Sequence, residues 1–224
     1  MGAISLSKSN RLFWLGRYTE RVFTTLPYML NNYDRVVDRL PVDYAAFCRK
    51  MGVPDHYEND ADFVRRYLFD EEDKASVISS MNSAYDNAVV LRDTLSSATL
   101  SYIEMAVSAL HKAAQSDGPG LQAQWTIDNI MAFRGACDDF IYDENTRNII
   151  KCGTSVERIS LYLRLGYRED RVPPEMSRLL NRLYKTKLAT NADSLDMMVQ
   201  AVLQAPGTVS NLELIRCVES LFQV

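Results

Sequence analysis

Apolar side chains recur at helical spacing along most of this chain. In the first segment they lie three or four residues apart and form one broad stripe: Trp14, Tyr18, Val22, Leu26, Met29, Tyr33, Val36 and Leu40. Ser9 or Asn10 can cap the start of this helix, because either side chain accepts a hydrogen bond from a free backbone N–H group. Pro27 lacks a backbone N–H and predicts a kink or break in mid-helix, and Pro41 ends the pattern.

The same spacing continues downstream and is interrupted by loops rich in Gly, Pro, Ser and Asp. It predicts further helices over residues 43–51, 62–68, 73–96, 99–115, 125–140, 149–167, 173–183, 191–204 and 210–222. The strict alternation of apolar and polar residues that is typical of strands is missing. We therefore predict an all-α fold, with one helical bundle of about eight to ten helices forming a single domain over residues 1–224.

Two of the predicted helices carry the same short pattern, Gly-x-x-x-Glu-Arg. The first copy contains Gly16, Glu20 and Arg21, and the second contains Gly153, Glu157 and Arg158. A glycine inside a helix costs about 1 kcal/mol relative to alanine, and close approach of another helix is the usual reason to keep it. The pattern therefore indicates a weak internal repeat, with helix crossings at Gly16 and Gly153.

The two glutamates of this repeat lie on partly apolar helix faces. A buried carboxylate needs a partner, and the candidate cations for the two glutamates are Arg17, Arg21, Arg158 and Arg164. One interpretation is that these groups form structural salt bridges, which we favour because most buried ion pairs are structural. The other is that they line a cleft between helices and bind or act on a polar ligand.

A second polar group lies in the helix predicted over residues 73–96. Asp86 and Asn87 are mediocre helix formers, so their side chains are expected to have partners, although a solvated face explains them equally well. Arg92 is too far along the helix to be their direct neighbour and is expected to pair elsewhere. The candidate polar core from the sequence is therefore Arg17, Glu20, Arg21, Asp86, Asn87, Arg92, Glu157 and Arg158.

Composition excludes several classes of partner. The net charge is −4 and the basic residues are scattered, which argues against a nucleic-acid surface. No apolar run is long enough to span a bilayer, and the first residues lack the apolar core of a signal peptide. The four cysteines are not spaced as CxxC and are expected to be buried, reduced thiols. We therefore expect a cytoplasmic protein without nucleic-acid or membrane partners.

Carboxylates from several helices raise the question of a metal site. The candidates are Glu20, Asp86, Asp138, Asp139 and Glu157. Di-metal bundles use a Glu-x-x-His pattern, and neither of the two histidines, His56 and His111, follows a glutamate at that spacing. Mg²⁺ held by carboxylates alone stays open. Signatures of nucleotide binding or nucleophilic catalysis are also missing, so we expect no metal and no cofactor.

Three segments of the chain resemble the bacterial alpha-E domain family. Residues 10–21 read NRLFWLGRYTER, which is similar to the opening segment of that family, Asn-x-Leu-(Phe/Tyr)-Trp-x-Gly-Arg-(Tyr)-x-Glu-Arg. Residues 153–158 match its second Glu-Arg segment, and residues 68–70 and 84–89 with Arg92 resemble its middle segment. The chain departs from the usual pattern at Tyr85 and Val89, where the family has arginine, at Asp86 for Glu and at Thr154 for Arg.

The resemblance implies an all-helical protein from a family whose biochemistry is not established. Its members are commonly encoded or fused with circularly permuted ATP-grasp ligases, and often near transglutaminase-like peptidases. It therefore implies an accessory protein of an ATP-grasp-type peptide ligase, or a partner of a transglutaminase-like protein. Two alternatives stay open. One is an enzyme of unknown reaction that uses Glu20 and Glu157 in a cleft between helices, and the other is a structural module that forms homo-oligomers.

Overall fold

The computed structural model describes residues 5–203 and 209–222. Within these ranges the chain forms ten α-helices and one short 3₁₀ helix, and Thr190 and Phe222 form a lone antiparallel bridge in place of any strand. The all-α prediction is therefore confirmed. The helices are α1 (Leu6–Val37), α2 (Tyr44–Met51), α3 (Asp60–Phe69), α4 (Val77–Val90), α5 (Ser97–Ala114), α6 (Gly120–Phe140), α7 (Glu144–Leu165), α8 (Val172–Leu183), α9 (Ala192–Leu203) and α10 (Asn211–Glu219).

Contacts divide the chain into two compact units. The first unit combines Met1–Arg17 with Tyr142–Val224, and the second is Tyr18–Ile141. Helix α1 contributes its first turns to the first unit and the rest of its length to the second. The single domain over residues 1–224 stays a prediction. Within the described residues, no helix combines the length and the apolar character that crossing a membrane requires.

Helix α1 continues through Pro27, so the predicted break is wrong, and the predicted kink stays a prediction. Pro27 lies on the exposed side of the helix, where water can satisfy the carbonyl that loses its N–H partner. The helix ends at Val37, three residues before the apolar stripe ends. Arg39 adopts a left-handed conformation (φ 56°), which lets the N–H of Leu40 donate to the carbonyl of Arg35 at 2.8 Å.

Capping side chains set most helix starts, as the sequence predicts. Asp43 caps α2, and Ser210 forms a complete capping box with Glu213 at the start of α10. Helices α6 and α8 have no side-chain cap. Helix α4 is capped by Ser76, and it begins at Val77 and ends at Val90, inside the predicted range of 73–96. Asp73 instead closes the preceding turn, where its carboxylate accepts from the N–H of Ala75.

Each unit has its own packed interior. In the second unit, α2 and α3 meet through stacked and edge-to-face aromatic rings, with Phe47 5.3 Å from Phe63 and 4.9 Å from Tyr67. In the first unit, α7 packs against α8 and α10. Helix α7 is buried on almost every side, and each residue from Cys152 to Glu157 is buried. The second Gly-x-x-x-Glu-Arg segment therefore lies in a protein interior.

Candidate functional site

Helices α1 and α7 cross at the two glycines of the repeat, within the first unit. A Cβ atom built on Gly16 would lie 3.0 Å from the amide nitrogen of Thr154, and closer still to the carbonyl oxygen of Ile150. A Cβ atom built on Gly153 would lie 3.2 Å from the amide nitrogen of Arg17, and closer still to the carbonyl oxygen of Phe13. Each glycine therefore allows the backbone of the other helix to approach directly.

The crossing has the symmetry of the sequence repeat. When the two segments are aligned on their glycines, Phe13 corresponds to Ile150 and Arg17 to Thr154. Gly16 faces Ile150 and Thr154, and Gly153 faces their counterparts Phe13 and Arg17. The two helices thus present equivalent surfaces to each other, as two copies of one interface do around a two-fold axis.

Glu157 is neutralised by an arginine from the opposite copy of the motif. Nε of Arg17 donates to Oε2 of Glu157 at 2.7 Å, and the glutamate is only 3% exposed. The guanidinium of Arg17 also lies 4.5 Å from the ring centre of Trp14, which covers it on one side. Arg17 is one of the four candidate cations from the sequence, and the pair joins α7 to α1.

Glu20 is neutralised in a different way, within the second unit. It is fully buried, and its Oε1 accepts from the hydroxyl of Thr24 at 2.8 Å. Its Oε2 accepts from Nη2 of Arg134 at 2.5 Å, and that guanidinium lies 3.9 Å from the ring centre of Phe23. The pair joins two residues that are 114 positions apart in the sequence.

Sequence reasoning missed Arg134 because it considered only cations near each glutamate along the chain. A weak indication was available: Arg134 is the only basic residue in α6 and is flanked by Phe133 and Ala136, which belong to the core. The repeat shows why Glu20 needs a cation from outside the motif. The counterpart of Arg17 is Thr154, whose hydroxyl donates to the carbonyl of Ile150 one turn earlier at 3.1 Å. The second copy of the motif therefore has no cation at this position.

The arginines that follow the two glutamates have different surroundings. The guanidinium of Arg21 lies 5.8 Å from the ring centre of Tyr18 on the same helix. Nη1 of Arg158 lies 3.2 Å from Oε2 of Glu175 in α8. Glu175 is 2% exposed and was not among the residues that the sequence singled out. Its spacing from Arg178 and Arg182 is that of a solvated helix face, so the sequence held no sign of its burial.

Glu175 is the centre of a buried polar cluster in the first unit. Its Oε1 accepts from the hydroxyl of Ser155 at 2.7 Å, and its Oε2 lies 3.2 Å from Nη1 of Arg178. Nη1 of Arg182 donates to Oγ of Ser155 and lies 3.5 Å from Oε1 of Glu175. Burial alone would raise the pKa of Glu175, but the guanidinium of Arg158 and the hydrogen bond from Ser155 hold the pKa of this carboxyl below its usual value.

The other sequence candidates lie on α4 and in the turn that follows it, in the second unit. Asp86 is exposed on α4, and Arg92 is exposed in the turn that follows the helix. Asn87 is half-buried, and its backbone carbonyl accepts from the N–H of Leu91 at the end of α4. Asp86 and Arg92 are therefore solvated side chains, which is the simpler of the two interpretations that the sequence allowed for Asp86.

Metal-ligating and nucleophilic side chains do not gather in the part of the chain that the structure describes. No group of three or more His, Cys, Asp or Glu residues there is arranged to hold a metal ion. His56 pairs with Asp73 at 3.7 Å, and His111 contacts Asn82 at 3.2 Å. All four cysteines are buried and unbridged. Burial raises the pKa of the Cys152 thiol to about 12, so this thiol is not a nucleophile at neutral pH.

An open cavity of about 590 Å³ lies in the second unit, beside the end of α1 and the starts of α2 and α3. Its walls are mostly apolar, including Leu40, Pro41 and Tyr44, with Arg39 and Asp60 among the polar residues. The carboxylate of Asp60 accepts from the N–H of Val42 at 3.0 Å and so fixes the connection between α1 and α2. None of the candidate residues from the sequence lines this cavity.

Comparison with known proteins identifies one family. A family model described as a predicted alpha-helical domain with a conserved ER motif, alpha-E, matches residues 7–168. Neither the curated proteins nor the solved structures contain a match to the chain. The matched residues include both crossing glycines and both Glu-Arg pairs described above. The protein therefore belongs to the alpha-E family.

Proposed function

We propose that this protein is a non-catalytic accessory partner of an ATP-grasp-type peptide ligase. The observation that carries the proposal is that both carboxylates of the repeated motif are buried and paired with arginine. Glu157 is held by Arg17, and Glu20 is held by Arg134 and Thr24. A charge pair of this kind inside the protein stabilises or specifies a packing arrangement and presents nothing to a substrate.

The same geometry argues against acid–base catalysis by the motif. A general acid or base must reach the proton that it transfers, and its pKa should lie near the working pH. Glu20 is fully buried and Glu157 is 3% exposed, so neither carboxylate meets solvent. One oxygen of each carboxylate is also occupied by a hydrogen bond from a guanidinium, so it does not face a substrate.

The surface of α6 supports a role in binding another protein. Large apolar side chains are exposed along this helix in the second unit: Leu121 (60%), Trp125 (48%), Met131 (57%) and Phe140 (46%). Exposed apolar residues, aromatic ones above all, are typical of protein–protein contacts. The choice of a ligase as the partner rests on the family resemblance, because genes of alpha-E proteins are commonly adjacent or fused to those of ATP-grasp ligases.

Affinity purification from the native host tests the proposal. The tagged full-length chain should recover an ATP-grasp-type ligase, as identified by mass spectrometry, and the purified ligase should turn over faster when the chain is added. Trp125→Ser should weaken the recovery, because it removes an exposed aromatic side chain from α6. Tyr184→Ser is the matched control, because Tyr184 is 77% exposed at the end of α8 in the other unit.

Three results would contradict the proposal. Recovery of the chain only with copies of itself would indicate a structural oligomerisation module. Recovery of a transglutaminase-like protein without a ligase would assign a different partner. Loss of a cellular function in a Glu20→Gln variant that folds normally would indicate that the motif carboxylate has a chemical role.

A further inference from the structure

We propose that α8 carries a binding site for a phosphate group, formed by Arg178 and Arg182 above the buried Glu175. The inference is independent of the ligase partnership. It concerns residues that lie beyond the part of the chain matched by the family model, which ends at residue 168.

The first argument is the balance of charge around Glu175. Three guanidiniums contact this one carboxylate, those of Arg158, Arg178 and Arg182. The charged residues at the two ends of α8 do not change this balance, because Arg171 pairs with Asp170 at 3.3 Å and Lys185 pairs with Glu144 at 3.1 Å. Arg178 and Arg182 therefore bring two positive charges to a carboxylate that Arg158 also contacts.

The neighbouring positive charges affect the pKa of Arg182. Burial lowers the pKa of Arg182, and the neighbouring guanidiniums of Arg158 and Arg178 lower it further, although Glu175 opposes the shift. Arg178 and Arg182 also lie four residues apart on one face of α8, a spacing at which like charges repel and destabilise a helix. A bound anion would relieve both effects.

The second argument is the direction in which the two guanidiniums are held. Arg178 contacts Glu175 only through Nη1. Arg182 uses Nη1 alone for its bonds to the carbonyl of Lys151, the hydroxyl of Ser155 and the carboxylate of Glu175. Among residues 5–203 and 209–222, nothing accepts from Nε or Nη2 of either arginine. The side edge of each guanidinium, which binds an oxyanion with two parallel hydrogen bonds, therefore remains available.

Ser155 and Glu175 give this site a rigid base. Both are buried, and their mutual hydrogen bond of 2.7 Å connects α7 to α8 beneath the arginines. The arginines themselves reach solvent, since Arg182 is 25% exposed and Arg178 is 63% exposed. The donors are held on their buried side and exposed on the other, so the site is pre-organised for a ligand that arrives from solution.

Charge and geometry favour phosphate over a carboxylate. A phosphate monoester carries about −1.5 to −2 charges at neutral pH and a carboxylate carries one, so the two guanidiniums of Arg178 and Arg182 attract phosphate more strongly. Phosphate also offers three acceptor oxygens, enough for the paired donors of two guanidiniums. The structure therefore assigns the site to inorganic phosphate or to a small phosphorylated metabolite, which share this group.

Isothermal titration calorimetry of the full-length chain with sodium phosphate tests the assignment, at an ionic strength held constant with sodium chloride. We expect saturable binding of one phosphate per chain. Arg178→Gln should weaken it about ten-fold or more, because hydrogen bonds to a charged group contribute about 1.5–3 kcal/mol and 1.4 kcal/mol is one factor of ten. Arg171→Gln is the matched control and should change the affinity less than about two-fold, because Arg171 is an equally exposed arginine paired with Asp170.

A second variant separates charge from geometry. Arg182→Lys keeps the positive charge but loses the paired donors, so it should also weaken phosphate binding while the circular dichroism spectrum stays unchanged. The assignment is wrong if no saturable heat is found up to about 10 mM phosphate, where a site with a dissociation constant of about 1 mM would be mostly filled. It is equally wrong if Arg178→Gln binds like the wild type or if acetate binds as tightly as phosphate. A phosphorylated metabolite that binds more tightly than phosphate, with the same loss in Arg178→Gln, would identify the physiological source of the group.

Discussion

The crossing of α1 and α7 can be tested by adding one methyl group. Gly153→Ala places a Cβ atom 2.9 Å from the carbonyl carbon of Phe13 and 3.2 Å from the amide nitrogen of Arg17. These are backbone atoms of a long helix, which cannot rotate away as a flexible side chain would. The carbonyl oxygen of Phe13 is closer still, so the two helices must move apart by about an ångström or more to bring every contact to the ordinary distances of 3.4–4 Å.

The expected loss of stability follows from three contributions. Forcing an extra methyl group into a well-packed site costs about 1–3 kcal/mol. Separation of the helices also stretches the hydrogen bond between Arg17 and Glu157, and complete loss of a buried charge pair would cost about 3–5 kcal/mol. The better helix propensity of alanine stabilises the folded state by about 1 kcal/mol and offsets part of this loss. We therefore expect Gly153→Ala to lower the free energy of unfolding by at least about 2 kcal/mol.

Thermal unfolding followed by far-UV circular dichroism measures the effect. For a chain of this size, a loss of about 2 kcal/mol corresponds to a Tm lower by about 4–8 °C. Gly135→Ala is the matched control, because Gly135 also lies inside a helix but has no atom within 4 Å of its added Cβ. There alanine should raise the Tm by about 2–4 °C through helix propensity alone.

The comparison of the two variants gives the refuting result. If Gly153→Ala is as stable as the wild type, or gains as much as Gly135→Ala, then the close approach at Gly153 does not hold in solution. If both variants lose stability equally, then alanine destabilises any mid-helix glycine position in this protein. The contact between the backbones of α1 and α7 would then not be the cause of the loss at Gly153.

Three further predictions concern the buried polar groups. Arg134→Met should lower the free energy of unfolding by about 3–5 kcal/mol in urea titrations, because it leaves Glu20 buried without its cation, and adding Glu20→Gln should recover part of this loss; an unchanged midpoint would contradict the pairing. Iodoacetamide at pH 8 should modify Cys152 only after unfolding, as read by mass spectrometry, because burial raises the pKa of this thiol to about 12; equal rates in native and unfolded protein would refute this. The pKa of Glu175 is lower in the folded protein, so its charge stabilises the fold above the ordinary glutamate pKa of 4.5, and this contribution is lost as the pH falls through the folded value. The stability difference between wild type and Glu175→Gln should accordingly shrink between pH 6 and pH 3, and a difference independent of pH would show that ionisation is irrelevant.

Local rules predicted the features of this chain that depend on neighbours in the sequence. Helix periodicity identified the helices, and the capping rules placed the starts of α2 and α10 at Asp43 and Ser210. Pro27 shows the limit of such a rule. Its missing N–H is tolerated because the side of α1 on which it lies is exposed, and the sequence pattern does not show that exposure.

Pairing of buried charges could not be predicted in the same way. Arg134 is 114 residues from Glu20, and Arg17 is 140 residues from Glu157, so no helical spacing connects them. The cluster around Glu175 was missed for a related reason. Charged residues three and seven positions apart usually mark a solvated helix face, and only the packing of α8 on α7 removes this carboxylate from water.

The division of the chain has a consequence for the order in which it folds. The first unit needs Met1–Arg17 at one end and Tyr142–Val224 at the other, so the ribosome completes the second unit before the first can close. Until α7 emerges, the segment that contains Phe13 and Gly16 has no helix to cross, and the face that packs on α7 stays uncovered. A chain that stops at Ile141 should therefore contain every residue of the second unit yet aggregate through the first turns of α1.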